Sequence, residues 1–187
     1  MEVEAYGGPA DLASHARAGR TARTAPMFGP PGYAYVYLVY GMYDCLNIVT
    51  GEDGEAGAVL VRAVEPLIGL AEMREDTLEA RARRRARSVA GSSGVQTLPI
   101  DARLAAGPGL LCRAFGIDRS YTGTDLCSAS SPLRLESGVR PEAGEINRTA
   151  RVGVAYAGDP WASIPWRLVV STSPSASGRR PHAGQSV

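Results

Sequence analysis

Lysine is absent from this sequence: all 20 of its basic residues are arginine. No side-chain amine can form a Schiff base, which excludes lysine-based covalent catalysis. The arginines are balanced by 19 acidic residues, leaving a net charge of +1. A nucleic-acid partner would therefore have to be held by local arginine clusters, not by a global positive field. Cysteine is scarce. Cys45, Cys112 and Cys127 are odd in number and widely spaced, and only His15 and His182 could assist them. That pattern argues against a zinc site and a disulfide framework and leads us to expect reduced thiols in a cytoplasmic protein. Long apolar runs are missing too, and the acidic start lacks the basic-then-apolar layout of a secretory signal, so neither a membrane span nor export is expected.

Phenylalanine and tryptophan occur twice each, whereas tyrosine occurs eight times, and five of those lie in "YAYVYLVYGMY" at residues 33–43. Tyr33, Tyr35 and Tyr37 alternate with aliphatic residues, so a strand would put the three rings on one face. The period then breaks at Tyr40, Gly41, Met42 and Tyr43, a bend from which large side chains would project. Two readings fit. The rings fill the edge of a core, or they form a stacking surface for planar ligands such as nucleobases.

The length and ordinary apolar content suit one compact domain. Alternation predicts a strand at residues 1–6 with no earlier element to pair with. Residues 7–32, rich in Gly, Pro, Thr and Arg, read as a long functional loop with a short helical turn near 11–16. Strands follow at 34–39, 45–49 and 58–64 in a meander, then a helix over 67–87 with Leu70, Met73 and Leu78 on one side and a solvated "RARRRAR" at its end. Residues 88–99 read as a mobile loop. "GPGLLCRAFGID" reads as a short helix with Pro108 in its first turn. Short strands are expected at 132–135, 151–156 and 166–171. The domain is expected to cover residues 1–172, with 173–187 a disordered tail.

Arg62 interrupts the apolar strand "GAVLVRAVEP". Facing inward, a guanidinium needs a carboxylate partner, and Glu2 and Glu4 share one face of the first strand; otherwise Arg62 points to solvent from an edge. Asn47 in "CLNIV" is either satisfied by backbone or aimed at a ligand. His15, in the Gly/Pro-rich loop, reads on its own as a surface residue.

Five motifs join these signals: "MEVEAYGGPADLASH", "MFGPPGYAYVYLVYGMYDCLNIV", "VLVRAVEPLIGL", "AAGPGLLCRAFGID" and "ARVGVAYAG". In order and approximate spacing they resemble the alkyladenine (3-methyladenine) DNA glycosylases over residues 2–174. The resemblance implies a single compact α/β (α+β) domain. It would have a curved, largely antiparallel sheet, peripheral helices and a DNA-binding face with a β-turn wedge. It also implies no metal or redox cofactor, a monomer, and damaged double-stranded DNA as partner, in the cytoplasm and, in a prokaryote, at the nucleoid. The activity implied is excision of alkylated and some deaminated purines from a nucleotide flipped out of the stack.

By this resemblance Tyr6 and Tyr37 sandwich the flipped base and His15 forms a hydrogen-bonding wall. Tyr40 enters the minor groove, flanked by Met42 and Tyr43, and Asn47 crowds out the 2-amino group of guanine. Glu4 is the general base that activates water for attack on C1′; Arg62 and the backbone carbonyl of Val152 share that water. Two departures stand out. Leu110 occupies a position where the family commonly has a basic residue, which removes one expected backbone contact. Family members also carry a helix and strands ahead of the first strand seen here; either the start is assigned too far downstream in a normal enzyme, or, as the alternative expectation, the chain is a truncated, non-catalytic or weakly active lesion binder.

Overall fold

The computed structural model describes residues 1–87 and 100–177. Its order is β1 (Glu2–Tyr6), β2 (Ala34–Val39), β3 (Tyr43–Val49), β4 (Ala58–Ala63), α1 (Leu70–Arg87), α2 (Pro108–Ala114), β5 (Ile146–Thr149) and β6 (Arg167–Val170). The six strands form one open antiparallel sheet in the order β2-β3-β4-β1-β6-β5, so the fold is α+β as expected. The meander β2-β3-β4 is present. β1 is not orphaned, because it inserts between β4 and β6 and draws its hydrogen bonds from strands that follow it in the chain.

Register decides which residues meet. Tyr37 faces Cys45, Tyr35 faces Asn47, Asn47 faces Leu60 and Leu60 faces Glu4. Directly opposed residues project to the same side of a sheet, so the row Tyr35, Asn47, Leu60 and Glu4 across four strands lies on one face, with the Tyr37 and Cys45 pair beside it on the same face. The other face carries Ala34, Val36, Leu46 and Val61. These pack on Leu111 and Cys112 of α2 and on Ala105, Ile117 and Leu126, which make the main apolar core. A smaller cluster of Ala16, Met27, Tyr35, Val49 and Ala58 seats the 7–32 loop on the first face. Two 3-10 turns, His15–Ala18 and Ala25–Phe28, give that loop its shape.

Some elements differ from the sequence reading. α1 begins at Leu70, after Gly69 with φ +77°; it buries Met73 and Thr77 one turn apart and leaves Leu70 and Leu78 half-buried. Arg81, Arg83 and Arg85 are exposed, as a solvated arginine face requires. Residues 132–135 form no strand. Residues 151–156 are a turn through Gly153, at φ +77°, that leads into a 3-10 turn, because Arg151 folds inward. β5 escaped notice because an exposed edge strand needs little apolar patterning, and "INRT" has only Ile146 to bury. The expected loop at 88–99 lies outside the described residues, as do residues 178–187. Residues 173–177 are not a loose tail: Ser175 is buried and Ser177 is hydrogen-bonded to Glu2. Polar side chains hold this stretch, and a search for apolar residues cannot find them. Among the described residues, no helix is long and apolar enough to cross a membrane.

Candidate active site

The first face of the sheet opens into a cavity of about 320 Å³, at the lower end of the usual range for ligand sites. Its walls include Tyr6, His15, Tyr37, Asn47, Arg62 and Val152, and Tyr40 stands at its edge. Six of the ten residues singled out from the sequence therefore line one cavity, and Tyr40 makes a seventh. Glu4 lies directly behind the wall, 0% exposed, held by three residues that do line it. Tyr6 Oη donates to Glu4 Oε2 at 2.9 Å, Arg62 Nη1 donates to the same oxygen at 3.3 Å, and the Val152 N–H donates to Oε1 at 2.7 Å. The resemblance assigned Val152 a role through its carbonyl. In the structure its contact with Glu4 runs through the amide N–H.

The buried Glu and Arg pair inferred from sequence is present as a triad. Arg62 Nε donates to Glu2 Oε1 at 2.8 Å while Nη1 reaches Glu4. A register shift explains its aim. Glu2 pairs with Ala63 and Val3 with Val61, so Arg62 is the extra residue of a β-bulge, a device that redirects a side chain. Asn47 Nδ2 donates to the carbonyls of Tyr35 and Cys45 at 3.1 and 3.3 Å. The backbone alternative for Asn47 holds, with its nitrogen fixed by two carbonyls, and its side chain also lines the cavity.

The aromatic wall is uncharged. His15 packs edge-on against Tyr37, with ring centroids 4.4 Å apart, and its Nδ1 lies 3.3 Å from Tyr35 Oη. Burial, and then Arg23 and Arg17, push its pKa below the usual histidine value, so the imidazole is neutral at pH 7. Burial and the adjacent Glu4 carboxylate push the Tyr6 phenol well above its ordinary range, and burial does the same to Tyr37. Both rings remain neutral, electron-rich surfaces. Such rings add no positive charge of their own and offer cation–π attraction to a flat cation, with Arg62 the charged group on the same wall.

Tyr40, Met42 and Tyr43 lie at the β2–β3 turn, exposed, with Tyr40 at 87%. The Met42 N–H closes the turn on the Val39 carbonyl at 3.0 Å. Tyr40 and Gly41 both have positive φ, +52° and +67°, as the central pair of a type I′ turn requires. A tyrosine there is strained by about 1 to 2 kcal/mol where glycine or asparagine would not be.

Sequence reasoning missed a second buried ion pair. Arg151 grips Asp11 with two parallel bonds, Nη1 to Oδ2 at 2.6 Å and Nη2 to Oδ1 at 2.9 Å, and also donates to the carbonyls of Ala5 and Trp161. Its guanidinium lies 4.7 Å from the Tyr6 ring centroid and 5.1 Å from that of Trp166. Asp11 also accepts the N–H groups of Gly7 and Ala13. The available signal was a charged residue inside each of two recognised motifs with no role assigned to it. Among the described residues, no group of three or more His, Cys, Asp or Glu side chains is placed to hold a metal ion.

Comparison with known proteins places the chain in a family. The family model for methylpurine-DNA glycosylase matches residues 1–174. Proteins named "Putative 3-methyladenine DNA glycosylase" are similar to this chain. That of Methanocella arvoryzae is 44% identical over 97% of the chain and 80% of its own length. That of Streptomyces avermitilis is 41% identical over 97% and 76%, and that of Nocardia farcinica 44% identical over 96% and 77%. The chain belongs to the methylpurine-DNA glycosylase family, hydrolases that act on the N-glycosyl bond.

Proposed function

We propose that this protein removes alkylated purines such as 3-methyladenine and 7-methylguanine from duplex DNA by receiving the flipped nucleotide in the Tyr6, His15 and Tyr37 cavity. Glu4 then activates a water for attack on C1′. The observation that carries this reading is the state of Glu4. A carboxylate offers about four lone-pair positions, and Glu4 uses three of them, on Tyr6, Arg62 and Val152. One acceptor position is left for a water beside a cavity walled by neutral aromatic rings. In the reaction Glu4 takes a proton from that water, the water oxygen bonds to C1′, and the N-glycosyl bond breaks with its electron pair leaving on the base. An alkylated purine is already cationic, so it departs neutral and needs no acid. Asn47, on the cavity wall, is assigned to discrimination against the 2-amino group of guanine.

The test is base release from methylated duplex DNA. Free 3-methyladenine or 7-methylguanine is expected, with an abasic site left intact until alkali is added. No adduct is expected on borohydride trapping, since the chain has no lysine to form a Schiff base. Binding without release would sink the hydrolytic reading, and a trapped adduct would replace water with an amine.

Tyr40 is assigned as the wedge that fills the gap left by the flipped nucleotide, because strain held at an exposed ring suggests a use for that ring. Replacing Tyr40 with Gly should relieve the positive-φ strain and raise the melting temperature, while weakening binding to an abasic-site duplex at least tenfold, on the order of one stacked ring. Unchanged affinity would remove the assignment.

A further inference from the structure

The catalytic carboxylate proposed above does not own its arginine. Arg62 lies 2.8 Å from Glu2 and 3.3 Å from Glu4, so the shorter contact goes to the carboxylate outside the cavity. Glu2 is 0% exposed and takes four donors. Oε1 accepts from Arg62 Nε at 2.8 Å, Arg167 Nε at 2.7 Å and Ser177 Oγ at 2.8 Å, and Oε2 accepts the Ser177 N–H at 2.6 Å. Four donors reach the carboxylate, three on Oε1 and one on Oε2, and Glu2 does not line the cavity, so it is not placed to act as the base itself. Arg167 is tied in turn to Thr149 Oγ1 of β5 and to the Ser177 carbonyl.

We propose, building on the assignment of Glu4, that Glu2 is a positioning residue for excision: by sharing Arg62 it fixes where the guanidinium stands and how much of its charge Glu4 receives. The chain Ser177 and Arg167 to Glu2 to Arg62 to Glu4 ties the segment after β6 to the reacting carboxylate across β1 and β4. Burial would push the Glu2 carboxyl up, but the donors from Arg167 and Ser177 outweigh it and hold it below its usual range, so Glu2 stays anionic. Glu4 is faced by Tyr6 and Glu2 from β1, Arg62 from β4, Tyr37 from β2, and Arg151 with its partner Asp11. Glu2 is faced by Arg62, Arg167 and the Met1 ammonium, which Glu65 also attracts. Within this set, deleting the charge on Glu2 or on Arg167 must act on Glu4 with opposite sign.

The experiment is single-turnover release of 7-methylguanine as a function of pH, with spontaneous depurination subtracted. Glu2→Gln removes a negative neighbour and frees Arg62 for Glu4, so the acid limb should move down by about one pH unit and the plateau should fall. Arg167→Met leaves the charge on Glu2 less compensated, so the acid limb should move up. A scaffold role alone would lower the rate at all pH values with no displacement, and that result overturns the inference. If Glu2→Gln does not fold, Arg167→Met decides alone: an upward shift sustains the inference and an unmoved limb overturns it. A wild-type chain that releases no base overturns the glycosylase reading and this one with it, whereas an active wild type with unmoved limbs overturns only this one.

Discussion

Glu4→Gln is expected to lower excision of methylated purines by about a hundredfold to ten-thousandfold, the usual contribution of a positioned base, while binding to an abasic-site duplex stays within a few-fold. The amide keeps the shape of the carboxylate. Its oxygen can take the Val152 N–H, and the Tyr6 hydroxyl can turn to accept from the new NH2 group. Only the Arg62 contact, the longest of the three at 3.3 Å, then becomes donor against donor. The structural cost is therefore about 1 to 3 kcal/mol of folding stability for one unmet buried group, separate from the loss of about 2.7 to 5.5 kcal/mol at the reaction barrier. Single-turnover kinetics and a binding titration on the same preparation separate the two. Equal loss of affinity and rate would move Glu4 from chemistry to architecture.

The parts of the molecule that could be read in advance are those where local pattern and tertiary placement agree. The alternation of Tyr35 and Tyr37 in β2, the bend at Tyr40 and Gly41, and the pairing of Arg62 with the carboxylates of β1 follow from period, turn chemistry and the cost of a buried charge. What could not be read depends on segments distant in sequence. β1 finds its partners β4 and β6 some 55 to 165 positions later, and no local signal specifies that insertion. Asp11 and Arg151 are separated by 140 positions, and Glu2 and Ser177 by 175. Asp11 and Arg151 lie inside recognised motifs with no role assigned to them, and Ser177 falls in the expected tail. His15 reads as a surface residue in its own loop and joins the cavity wall only because Ala16 and Met27 anchor that loop on Tyr35 and Val49.

Arg151→Met should be the most damaging substitution for stability, costing about 3 to 5 kcal/mol at neutral pH, because it strands the Asp11 carboxylate in a site where the side chain is 1% exposed. The pH dependence fixes the cause. Burial alone would push the Asp11 carboxyl up. The Arg151 guanidinium and the N–H groups of Ala13 and Gly7 more than offset this and hold it below its usual range. A carboxyl lowered in the folded state contributes stability above its unfolded value of about 3.9 and loses it as pH falls through the folded value. The wild type should therefore lose this contribution only in strong acid. In Arg151→Met the remaining carboxyl is buried without a cation and is most costly while ionised, so the gap from wild type should be widest near pH 7 and shrink toward pH 4. Adding Asp11→Asn should restore much of the loss at pH 7 by removing the stranded charge, a coupling visible in a double-mutant cycle. The same pair holds the Val152 segment and the loop bearing His15 against Tyr6, so excision by Arg151→Met should fall even at temperatures where the chain stays folded. Chemical denaturation at several pH values measures the gap. A deficit that does not change between pH 7 and pH 4 would mean that Arg151 serves by packing on Tyr6 and Trp166, not by holding the charge of Asp11.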